Sequence, residues 1–136
     1  MRIAFLTADN RGVWRQYEKD APLFGPAPDA LLSGFAGMPG LEVHVISCIR
    51  QPVKSPAKLA DNIWFHSLTV PQIGWMRTGY FGCIRAVRRQ LCEIKPDLVH
   101  GQGTELESGI CAAFSGYPNV ITLLGVMREM AALVQN

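Results

Sequence analysis

The run from Ile94 to Gly125, IKPDLVHGQGTELESGICAAFSGYPNVITLLG, constrains the fold more than any other stretch. It reads as a β–α–β unit. Lys95-Pro96 lead into a short strand over 97–100, and Gly101-Gln102-Gly103 make a tight polar turn. A helix opens at Thr104, runs through Ile110, Ala113 and Phe114, and stops near Gly116. Pro118-Asn119 then feed a second apolar strand over 120–124, closed by Gly125. Two strands joined through a helix lie parallel in one sheet. Ligands of open parallel sheets bind beyond the carboxyl ends of the strands. His100, Gln102, Thr104 and Glu105 fall at that place in the unit.

The rest of the chain repeats the alternation. Residues 2–8 form an almost continuous apolar run, as expected of a strand covered on both faces. Residues 9–28 are polar and broken by Gly12, Pro22, Gly25, Pro26 and Pro28, and read as a long loop without an element of its own. Asp29 is placed to cap a helix running through Phe35 and Ala36. A second strand follows over 41–47, a loop over 48–60 and a third strand over 62–70. Tyr80, Ile84, Val87, Leu91 and Ile94 recur with helical period and form one apolar stripe. A last helix is expected from about Met127. The predicted fold is α/β and Rossmann-like, a mostly parallel sheet with helices on both faces, cut short by the end of the chain.

Length and composition narrow the function. A chain of 136 residues forms a single domain with room for a real core. With 49% hydrophobic and 18% charged residues it is not a disordered chain. A net charge of +2 gives no reason to expect a nucleic-acid partner. No apolar run is long enough for a transmembrane segment. Cys48, Cys83, Cys92 and Cys111 lie in apolar settings without CxxC pairing, so they read as small buried hydrophobes in a reducing, cytoplasmic setting. No zinc-ligand spacing, GxGxxG or P-loop is present, so no metal or cofactor is expected.

Each candidate site residue has a structural alternative. His100 either points into a cleft as a hydrogen-bonding imidazole or packs against a loop carbonyl. His44 and His66, mid-strand, read as structural. Gly101 and Gly103 either expose backbone N–H groups to a ligand or serve the turn alone. Thr104 and Glu107 have capping-box spacing, which leaves Glu105 without a role in the cap. Phe24-Gly25-Pro26-Ala27-Pro28 either brings backbone near a ligand or stiffens a linker. Arg85, Arg88 and Arg89 read as a solvated face, with weak peripheral membrane contact as the alternative.

The opening strand MRIAFLT, the second strand LEVHVISC, and KPDLVHGQGTE followed by GYPNVITLLG give the chain a family resemblance. It resembles the amino-terminal, acceptor-side domain of a GT-B glycosyltransferase of the family 4, group 1 type, from Met1 to about Met127. Such enzymes face two Rossmann-type domains across a cleft and move a sugar from a nucleotide-sugar donor to a hydroxyl acceptor, usually without a metal. The resemblance implies that His100, Gln102, Gly103, Thr104 and Glu105 line the acceptor side, with Gly25 near the donor phosphates. No catalytic residue is carried over. Relatives commonly hold a histidine where this chain has Leu124, and their donor domain with its paired glutamates lies outside this sequence. The resemblance therefore implies a truncated domain, inactive alone, with an exposed apolar edge open to self-association. The alternative is a non-catalytic Rossmann-like module for a small ligand, or a degenerate partner subunit.

Overall fold

In the computed structural model, which describes residues 1–124 and residue 133, six strands form one sheet in the order β3-β4-β2-β1-β5-β6. The strands are β1 Arg2–Leu6, β2 Glu42–Ile49, β3 Lys58–Ala60, β4 Ile63–Thr69, β5 Leu98–Gln102 and β6 Asn119–Thr122. All pairings are parallel except that of β3, which runs antiparallel along the outer edge of β4. The helices are α1 Asn10–Val13, α2 Pro26–Ala36, α3 Phe81–Ile94 and α4 Glu107–Ala113. Two 3₁₀ turns, Gln72–Gly74 and Met76–Thr78, precede α3. This is the expected Rossmann-like α/β arrangement.

The apolar runs bury as their patterns require. β1 packs Ala4 and Leu6 on one face of the sheet and Ile3 and Phe5 on the other. α3 turns Cys83, Val87, Leu91 and Ile94 onto the first face, beside Trp75 and the Cys111-Ala112 side of α4. Fully burying each Val, Leu or Ile is worth roughly 1.5–3 kcal/mol, which makes this stripe the main anchor of α3. The opposite face is covered by α2, whose Leu32 and Phe35 meet Phe5, Val45 and Phe65. Cys48, Cys83 and Cys111 are buried as expected, whereas Cys92 is exposed.

The structure corrects several expectations. The loop after β1 is not featureless: Asp9 accepts from the Arg11 N–H and caps the one-turn α1. Arg11 is buried, paired with Asp9 at 2.7 Å, and donates to the Lys19 and Lys54 carbonyls and the Ser55 hydroxyl. Two loops are thereby tied to one guanidinium. Asp29 does not cap α2. The helix starts four residues earlier because Pro26 is pre-set for its first turn, and Gly25 takes the cap position. The stretch 48–60 hides β3, whose three residues are too few to show a period. The helix expected from Met127 lies outside the described residues.

Candidate functional site

In the parallel part of the sheet the chain moves from β1 to β2 on one side and reaches β5 on the other. At such a reversal the two crossovers leave a crevice above the strand ends. A cavity of about 200 Å³ occupies it. Thr7, Ala8 and Asn10 form its wall from the end of β1, Gly25 and Pro28 from the start of α2, and Gln102, Glu105, Leu106 and Ser108 from the β5–α4 turn. Leu124 closes it beyond β6.

The β5–α4 turn differs from its sequence reading. The strand continues through Gly101 and Gln102, held to β6 by Gln102–Thr122 pairing and the Gly103 N–H to the Thr122 carbonyl at 2.9 Å. Gly101 allows this because α4 lies directly on it: a Cβ there would stand 2.8 Å from the Ala112 Cβ and 2.9 Å from the Ser108 carbonyl. Gly103 then reverses the chain at φ +82, a conformation glycine tolerates. The helix begins only at Glu107, so the Thr104–Glu107 capping box does not form; Leu106 holds the cap position without a side-chain bond. Thr104 is exposed and packs on Gly109.

Gln102 is the most informative side chain of the cavity. It is 6% exposed, and its Oε1 has no hydrogen-bond partner among the described residues. A buried acceptor left unpaired costs about 1–3 kcal/mol, a deficit that a ligand hydroxyl or amide would remove. Glu105, exposed at the rim, folds its carboxylate over Gly103, where a Cβ would collide with it. Gln102, Glu105 and Gly25 therefore share one cavity.

His100 stands apart from them. Its Nε2 is 2.7 Å from the Thr122 hydroxyl, and its ring sits edge-on to Phe5 at 5.1 Å. It is not among the cavity walls, because β5 runs two residues beyond it. Burial holds its pKa below the ordinary value, which favours the neutral ring. His44 and His66 are likewise engaged, at 2.9 Å from each other, with Glu42 2.8 Å from His44.

At the start of α2, Pro26 and Pro28 carry no N–H, so Ala27 is the one backbone donor among the first three helical residues. Asp29 in the same turn adds negative charge. Gly25 thus faces the cavity from a helix end that is poor in donors. Thr7, Asn10 and Ser108, which sequence reasoning missed, reach the cavity through topology alone; no local motif marks them. Asn10 is fixed by bonds from its N–H to the Leu23 carbonyl and from its amide to the Phe24 carbonyl.

The family model described as glycosyl transferase 4-like matches residues 33–130, which include the whole β5–α4–β6 unit. No curated protein and no solved structure matches the chain.

Proposed function

Because the chain belongs to the glycosyl transferase 4-like family, we propose that it is the acceptor-side domain of an enzyme that moves a sugar from a nucleotide-sugar to a hydroxyl acceptor. The observation that carries this reading is the buried Oε1 of Gln102, unpaired among the described residues, in the cavity at the ends of β1 and β5. In the reaction the acceptor oxygen bonds to the anomeric carbon as the bond to the nucleoside diphosphate breaks, and the hydroxyl proton leaves with the diphosphate. The acceptor hydroxyl donates to Gln102 Oε1 and a neighbouring hydroxyl donates to the Glu105 carboxylate. The Gly103 turn leaves the space in which the Glu105 carboxylate lies. His100 and Thr104 act from behind, the imidazole by holding β6 against β5 and Thr104 by packing under α4. Gly25 faces the donor phosphates through backbone only.

The size of the cavity supports a half-site. Complete small-molecule sites measure roughly 300–1,000 Å³, and about 200 Å³ suits one wall of a cleft closed by a second domain. The 136-residue chain alone then binds acceptor weakly and turns over no donor, since nothing orients donor against acceptor. A second reading, a non-catalytic binding module, draws on Leu124, an apolar wall that offers the sugar no hydrogen bond.

Ligand-observed NMR with a panel of methyl hexosides tests the proposal. Binding to the wild-type chain, lost in Gln102→Leu at an unchanged melting temperature, is the expected result. Glycoside binding that survives Gln102→Leu, or none at all, refutes it. Nucleoside diphosphate release by a complex with a donor domain separates the enzyme from the binding module.

A further inference from the structure

A second concavity shares no lining residue with the cavity described above. It encloses about 490 Å³ and is lined by Gly12, Arg15, Tyr17, Arg50, Gln51 and Gln72. It takes its walls from the end of α1, the residues just after β2 and the first 3₁₀ turn. We propose that this cleft binds a phosphate-class anion, with Arg15 and Arg50 as the charged ligands. The inference stands on the cleft itself and not on the acceptor reading.

Three observations carry it. First, the lining holds two arginines, a tyrosine hydroxyl and two side-chain amides, and no carboxylate. Among the described residues neither Arg15 nor Arg50 forms an ion pair or side-chain hydrogen bond. Arginine differs here from Arg2 and Arg11, whose forks are filled by Glu42 and Asp9.

Second, Arg50 is held in place without losing its donors. Its guanidinium carbon lies 4.6 Å from the centre of the Trp75 ring. Trp75 is itself buried and fixed by its Nε1–H to the Val70 carbonyl at 2.9 Å. An arginine on an aromatic face keeps its N–H fork for a planar or tetrahedral oxyanion. Glu107, a carboxyl on which Arg50 acts, is held up to about 7 by burial, so it is only partly ionised at neutral pH.

Third, Arg15 sits in a strained conformation. It follows the end of α1 at φ 54, the left-handed region where glycine is preferred. A non-glycine residue there costs of order 1 kcal/mol. A glycine would close the helix without that cost. Lys95 takes the same φ 54 at the end of α3; what distinguishes Arg15 is that it lines the cleft.

The rim adds a distinction between sources of the anion. Val13 and Trp14 are exposed beside Arg15, and Ile73 and Met76 beside Gln72. Between Asp61 and Glu93 the sequence has four arginines and no acid. A phosphate can therefore arrive free in water or as the headgroup of an anionic lipid.

Both arms use the 136-residue chain. One titrates it with inorganic phosphate by calorimetry; the other sediments it with phosphatidylcholine vesicles, with and without phosphatidylglycerol. The variants are Arg50→Gln, Arg15→Gly, which also relieves the backbone, and Lys95→Gln, the same charge change in the turn at the opposite end of the sheet. Saturable binding in one arm is expected, weakened at least about tenfold by either arginine substitution through loss of a charge-assisted hydrogen bond, and unchanged in Lys95→Gln. Binding of inorganic phosphate assigns a soluble ligand. Binding only to phosphatidylglycerol vesicles assigns a lipid phosphate. Failure in both arms overturns the proposal. So does binding that survives both arginine variants, as an anion at the start of α2 would, or that falls equally in Lys95→Gln.

Discussion

Glu107 opens α4 with its side chain 3% exposed and its Oε2 without a partner among the described residues. Burial lifts its pKa from 4.5 to about 7, against the opposing pull of its own N–H, the Cys48 N–H and Arg50. The folded state therefore binds a proton that the unfolded chain releases between those two pH values. Stability from this group is fully present below pH 4.5 and is lost as pH rises through about 7. At about 1.4 kcal/mol per pH unit, that interval corresponds to roughly 3 kcal/mol.

Glu107→Gln removes the ionisation and keeps an acceptor oxygen. The measurement is urea unfolding followed by tryptophan fluorescence at pH 5, 6, 7 and 8 for both proteins. The variant gains on wild type by roughly 2.5 kcal/mol between pH 5 and pH 8. An offset common to all four pH values reports the unmet donors of the new amide and is separate from this slope. His66 and His100, whose pKa values burial lowers, titrate in both proteins and cancel in the difference. A difference that stays flat across the range shows that Glu107 does not exchange its proton there, and the reasoning fails.

Asp9→Asn leaves Arg11 fully buried without its counter-charge. The expected loss is about 3–5 kcal/mol, whereas Glu42→Gln at the exposed Arg2 pair costs under about 1 kcal/mol; similar urea midpoints for the two variants would refute the distinction. Gly101→Ala drives a methyl against Ala112 and the Ser108 carbonyl, costing roughly 1–3 kcal/mol through displacement of α4. Gly34→Ala in α2, with nothing within 4 Å of the new carbon, gains up to about 1 kcal/mol. Thermal melts that rank the two alanine variants the other way would count against the packing described here.

The fold was readable because its determinants are local patterns. The apolar runs of β1 and β2 and the stripe of α3 state their partners through period and length. What escaped depended on contacts far along the chain. β3 exists because β4 offers it an edge. The start of α4 is set by how closely that helix lies on Gly101, not by the Thr104–Glu107 spacing. The cavity followed the same division. Gln102 and Glu105 were visible as residues after a strand, and Gly25 as a residue before a helix. Asn10, Thr7 and Ser108 join them only because the strand order reverses at β1. The arginine cleft carries no sequence signature, since Arg15, Arg50 and Gln72 are brought together by three separate crossovers.

The register of β1 against β5 has a consequence for how this protein comes into being. Ile3 pairs with Leu98, and Arg2 bonds Asp97 across 95 residues, while β2 and β4 pair at separations of about twenty. Closing the longest loop carries the largest entropic cost. The seam that forms the cavity thus waits for most of the chain to be synthesised. No shorter fragment ending before β5 possesses it, so binding at the cavity reports completion of the whole sheet.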